Sequence, residues 1–124
     1  MVRNKFFWAL ILTLSFFAPE IFAQEVQRVT ITVGEASKEK FTLEPKEVTV
    51  RPGKVEFTLV NKGAGQHRLG LKMGDKSIRA GSADGGQTAK TEVDLTPGEY
   101  EMSCSLTSGG SHKEKGMVGK LIVK

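Results

Sequence analysis

Cysteine is almost missing from this chain: its 124 residues include a single one, Cys104, and only two histidines, His67 and His112. No disulfide can form within the molecule, so the fold has to rest on its core. A cysteine-rich structural zinc site needs four Cys or His ligands, and the three present exclude zinc fingers and ribbons. An enzyme built on several histidine-rich metal centres is excluded for the same reason. Aromatics are sparse, with one Trp, one Tyr and seven Phe. Charge of one sign is sparse too: 18 Lys and Arg stand against 14 Asp and Glu, scattered singly with no basic stripe. Nucleic acid is therefore not an expected partner. No internal repeat or low-complexity tract appears, and the length suits one domain with one modest core.

The longest apolar run lies at the N-terminus. Arg3 and Lys5 precede Phe6 to Ala18, followed by Ile21-Phe22-Ala23, whose small last residue suits a signal peptidase before Gln24. Residues 1–23 are expected to be a cleaved secretory signal, and 24–124 the mature domain. The alternative is a retained anchor, for which the run falls short of the ~20 residues a bilayer span needs. Export places the protein in a periplasm or outside the cell, with no stable membrane anchor after cleavage. An unpaired cysteine is anomalous there, because oxidising compartments pair thiols or eliminate them.

The remaining sequence consists of short β-branched runs between turn residues, with no sustained helical period. Strands are expected at Val26–Val33, Glu47–Val50, Val55–Asn61, His67–Met73, Thr88–Leu95, Glu99–Cys104 and Met117–Val123. Pro52-Gly53 and Pro97-Gly98 are turn signals ahead of two of them. Gly74 to Gln87, rich in glycine, reads as a long surface excursion holding at most one helical turn. The expectation is all-β: an antiparallel Greek-key β-sandwich of about seven to eight strands.

Chemistry is concentrated near the C-terminus, where Cys104 ends one expected strand and Met117 opens the next, with His112 in the loop between. His67 follows the turn Asn61 to Gln66, and a sandwich can bring that end beside the Cys104 loop. Two imidazoles and a thiolate with a weak axial thioether make the ligand set of a mononuclear blue-copper centre. Each residue also has a plainer reading. Cys104 could be a small core residue, His67 a structural strand-edge histidine, His112 a solvated loop side chain and Met117 core filler. Asn61 could tie the two ligand loops together or simply shape a turn.

Three stretches give the chain a more specific resemblance. Val48 to Asn61 resembles the strand, turn and strand that lead to the first ligand of cupredoxins of the plastocyanin, azurin and pseudoazurin type, and the spacing to His67 is kept. Leu95 to Cys104 resembles the strand that delivers their thiolate, and Gly116 to Val123 their closing strand with its axial methionine. The resemblance covers most of residues 41–124 and implies a cupredoxin-like fold holding one copper ion through His67, Cys104, His112 and Met117. It also implies a one-electron carrier rather than an enzyme, monomeric, working with a protein redox partner or a copper donor or acceptor, with His112 as the electron's exit.

Two departures bear on that reading. The Cys104–His112 loop is longer than in the small carriers and nearer to that of larger copper proteins. It also resembles the loop of the binuclear centre in cytochrome oxidase subunit II, with Ser108 where that family has its second thiolate. A hydroxyl cannot replace a bridging thiolate, which favours one copper over two. In addition, Lys113, Glu114 and Lys115 follow His112 where the family's carriers have an apolar docking patch. The rival functions are copper delivery or storage without electron transfer, and a metal-free structural module that kept only the fold.

Overall fold

Side-chain alternation builds the first layer of the molecule, a computed structural model that describes residues 13–19, 25–107 and 109–124. In β4 (Gly53–Asn61) Val55, Phe57 and Leu59 point inward and are fully buried, while the residues between them face outward. In β1 (Gln27–Glu35) Val29, Ile31 and Val33 do the same. The two strands run parallel, with Val29 opposite Phe57 and Ile31 opposite Leu59. β2 (Phe41–Glu44) pairs antiparallel with β1, and β7 (Thr88–Leu95) pairs antiparallel with β4. The first sheet thus has the order β2-β1-β4-β7.

The second sheet is made of β3 (Glu47–Val50), β5 (His67–Met73), β6 (Lys76–Ala83), β8 (Gly98–Ser103) and β9 (Val118–Val123), in the order β3-β9-β8-β5-β6. Leu69, Leu71, Tyr100, Met102 and Leu121 from this sheet meet the inward residues of the first in one core. The Tyr100 hydroxyl is buried within it and donates to the Thr96 carbonyl at 3.0 Å, which satisfies a group that would otherwise be costly to desolvate.

The all-β sandwich is the architecture expected from the sequence, with three differences. There are nine strands among the described residues rather than seven or eight. Two pairings, β1 with β4 and β3 with β9, are parallel. Parallel neighbours require a crossover, and the chain supplies the first by passing from β2 in one sheet to β3 in the other.

The third difference is that Gly74–Gln87 is no surface excursion. Gly74, at φ 57°, and Asp75 make a two-residue turn into β6, which pairs along β5 from Met73–Lys76 to His67–Ala83. The register shifts once between Arg68 and Gly70, and Gly81 adopts φ 140° there. Such a bulge puts the consecutive residues Ala80 and Gly81 both inside, which erases the alternation by which a strand is recognised.

Most of the expected leader, residues 1–12 and 20–23, lies outside the described residues. Residues 13–19 carry no regular element, and Leu14, Phe16 and Phe17 are exposed. Among the described residues, no helix is long and apolar enough to cross a membrane.

Candidate metal centre

Strand ends bring the four expected ligands to one pole of the sandwich. His67 is the first residue of β5, Cys104 follows directly on β8, and Met117 directly precedes β9. Because β8 and β9 pair antiparallel up to Ser103–Val118, the chain between them is a closed loop. Backbone bonds continue the ladder into it: the Cys104 amide donates to the Met117 carbonyl at 3.3 Å, and the Met117 amide to the His112 carbonyl at 3.1 Å. The His112 amide donates across the loop to the Leu106 carbonyl, also at 3.1 Å. These bonds turn His112 inward despite its polar neighbours, and Gly109, Gly110 and Gly116 supply the positive φ angles the loop needs.

Three ligand atoms converge as a result. The Nδ1 atoms of His67 and His112 are 3.2 Å apart, and Cys104 Sγ lies 3.5 Å from His112 Nδ1. One potential ligand atom from each of the three residues lies within 4.8 Å of the others. All three side chains are buried, at 0% exposure for His67, 2% for Cys104 and 3% for His112. Met117 is fully buried, its backbone bonded to those of Cys104 and His112. Two imidazole nitrogens and a sulfur, sequestered and already facing one point, fit a copper ion by donor chemistry.

Neighbouring groups fix each donor. The Arg68 amide donates to Cys104 Sγ at 3.3 Å, a bond that stabilises charge on the sulfur. Phe41 packs edge-on against both imidazoles, with ring centroids 5.7 Å from His67 and 4.8 Å from His112. Lys115 lies over the outer face of Phe41 at 4.8 Å and donates to the carbonyls of Lys38 and Gly109, strapping the ligand loop to the turn after β1. Glu35, at the end of β1, places Oε1 2.8 Å from His67 Nε2.

His112 lies in a polar loop yet is buried at 3% exposure, with Phe41 packed against its ring. Of the two roles open to Asn61, its hydrogen bonds support the shaping of the turn. Its Nδ2 donates to the carbonyls of Gly65 and Ala83, and its Oδ1 accepts from the Gly63 amide, so it ties the turn before His67 to β6. Ser108 lies outside the described residues. Glu35 and Phe41 were not anticipated. Both are far from the ligands in sequence, and neither belongs to a metal-binding pattern.

Burial raises the Glu35 carboxyl, but hydrogen bonds from His67, Ala64 and Gly65 outweigh it, and the net effect holds the group below its ordinary value. A carboxyl depressed in the folded state contributes stability above its unfolded pKa of about 4.3 and loses it as pH falls through the folded value. The metal-free protein is therefore expected to exceed its Glu35→Gln variant in urea midpoint at neutral pH, with the gap closing in acid. Urea titrations of the two proteins across pH check this, and a gap independent of pH would contradict it.

A family model described as a cupredoxin-like domain matches residues 6–123. A curated relative, the iron uptake system component EfeO of Yersinia pestis, is 32% identical over 113 residues. That match covers 90% of this chain and 28% of the relative, so the chain spans little more than a quarter of that protein. Among solved structures, auracyanin B superposes with a TM-score of 0.62 at 18% identity, over 82% of this chain and 91% of its own. A multicopper oxidase gives 0.62 at 20% identity, over 80% of this chain and 42% of its own. At these identities the two structures share the fold.

Proposed function

Since the chain belongs to the cupredoxin-like domain family, we propose that it binds one copper ion through His67, Cys104 and His112, with Met117 as a fourth and weaker donor, and serves as an exported one-electron carrier. The observation that carries this reading is the convergence of two imidazole Nδ1 atoms and one sulfur within a buried pole of the sandwich. Copper bound there supplies a couple between Cu(II) and Cu(I).

The residues of the chain do the rest. The thiolate favours the reduced ion and the imidazoles serve both states, so donors held in one compromise geometry need little rearrangement when an electron moves. Glu35 holds the His67 ring, the Arg68 amide holds the Cys104 sulfur, and the backbone bonds of the 104–117 loop hold His112 and Met117. Phe41 excludes water from the imidazole edges. With His112 covered, an electron would pass at the Phe41 edge, where Lys38, Lys62 and Lys115 line the adjoining groove. A protein redox partner would meet the domain there. The leader-like residues 1–23 support a periplasmic or extracellular setting.

The role proposed is a carrier's, not an enzyme's; the likeness to a multicopper oxidase is one of fold. A second reading, metal handling without electron transfer, is favoured by one observation: the relative named as a component of an iron uptake system. Adding Cu(II) to the purified metal-free protein tests both. The carrier reading expects an intense visible thiolate-to-copper absorption that a mild reductant bleaches and reoxidation restores, with the metal retained against a chelator. Metal that transfers freely to the chelator would support handling instead. Absence of the absorption would overturn the copper-thiolate assignment.

A further inference from the structure

The carboxylate of Glu35 is built into the fold more firmly than a strand-end side chain needs to be. It accepts three hydrogen bonds: His67 Nε2 at 2.8 Å and the Gly65 amide at 3.2 Å on Oε1, and the Ala64 amide at 2.9 Å on Oε2. The 63–65 turn wraps around it so closely that a β-carbon on Gly63 would land on the carboxylate itself. The same turn is pinned from behind. Asn61 holds the Gly65 carbonyl, and Gly85 approaches the Ala64 carbonyl so tightly that it too has no room for a β-carbon. Glycine at 63 and 85 is thus explained by the cradle.

Resting on the copper reading above, we propose that Glu35 is a positioning residue that fixes the tautomer of His67 and lowers the reduction potential of the centre. An acceptor-only group at Nε2 requires the proton on that nitrogen, which leaves the Nδ1 lone pair pointing at His112 and Cys104. A full negative charge on the far side of the ring makes Nδ1 a stronger donor. It also favours the more highly charged ion, Cu(II), over Cu(I) by simple Coulomb attraction. A backbone carbonyl in the same place would orient the ring without the charge, so orientation and charge can be tested apart.

The experiment uses the full chain in three forms: wild type, Glu35→Gln and Glu35→Ala. Nitrogen-resolved NMR of the two histidines in metal-free protein is expected to show His67 as the Nε2–H tautomer in wild type and as a mixture in Glu35→Ala. This readout does not depend on copper. In copper-loaded protein, Glu35→Gln keeps an acceptor for the ring but removes the charge. It is expected to retain the charge-transfer absorption and to weaken the preference for Cu(II) about tenfold, a rise in potential of about 59 mV for a one-electron couple.

Gly63→Ala, which displaces the carboxylate without altering it, should shift the potential in the same direction. A His67 tautomer indifferent to Glu35→Ala overturns the proposal, as does a potential unmoved by Glu35→Gln. If wild type develops no copper–thiolate absorption, the copper reading fails by itself, and the tautomer measurement still decides the role of Glu35.

Discussion

Cys104→Ser protein is expected to bind Cu(II) without the intense visible absorption of the wild type, and to lose at least tenfold in affinity. The absorption arises from electron transfer between a soft thiolate and the ion, and no other cysteine exists in the chain to replace it. His67 and His112 remain facing each other across 3.2 Å, so some metal is still held. Serine is nearly isosteric with cysteine, and its hydroxyl can accept the Arg68 amide bond in place of the sulfur. The fold should therefore survive with a loss of about 1 kcal/mol, and a thermal melt of the metal-free variant checks this alongside the optical spectrum. A serine protein with undiminished absorption would remove Cys104 from the site. Burial adds a point the sequence could not offer: at 2% exposure, the Cys104 thiol is shielded from oxidation even without a metal.

The largest expected change in stability comes from the opposite end of the argument, the core. Phe57 sits in the middle of β4, fully buried between Val55 and Leu59, with Val29 of β1 on one side and Thr91 of β7 on the other. Truncation to alanine removes the ring from a site enclosed by two neighbouring strands and the facing sheet. Phe57→Ala is expected to cost about 3–5 kcal/mol, a large share of the roughly 5–15 kcal/mol that holds a typical domain together. Urea denaturation of the metal-free protein reads this as a marked fall in midpoint at unchanged slope. A loss below about 1 kcal/mol would mean that β4 is not the centre of the core.

How far the sequence revealed this molecule depended on whether each residue's role was written in its neighbours. β4 was legible because Val55, Phe57 and Leu59 alternate with polar residues. β5, β7, β8 and β9 were legible to within a residue or two. β2 was missed because Thr42 is its one β-branched residue, whereas the equally short β3 carries Val48, Thr49 and Val50 just ahead of Pro52-Gly53. β6 was missed because Gly81 bulges it and its exposed side chains are Lys76, Ser77 and Arg79. The parallel pairings leave no local trace at all.

At the site, the convergence of His67, Cys104 and His112 followed from their order and from strand ends. The burial of His112 did not follow, since Ser111, Lys113, Glu114 and Lys115 all argue for solvent, whereas the backbone bonds to Leu106 and Met117 and the Phe41 ring hold it inside. Glu35 stands 32 positions before His67, and the carboxylate partner of a ligand has no spacing rule.

The pairing of β3 with β9 has a consequence in time as well as in space. Val48 lies opposite Leu121, so the chain must close a loop of more than half its length before that contact gives any return. Topologies of this kind fold slowly, on the order of milliseconds to seconds. Met117 and His112 are held by bonds that extend the β8–β9 ladder, so their placement waits on the docking of the last strand. On the copper reading proposed above, the centre would be completed at the end of folding rather than seeding it, and the ion would meet a finished sandwich with Phe41 and Lys115 packed over its ligand pole.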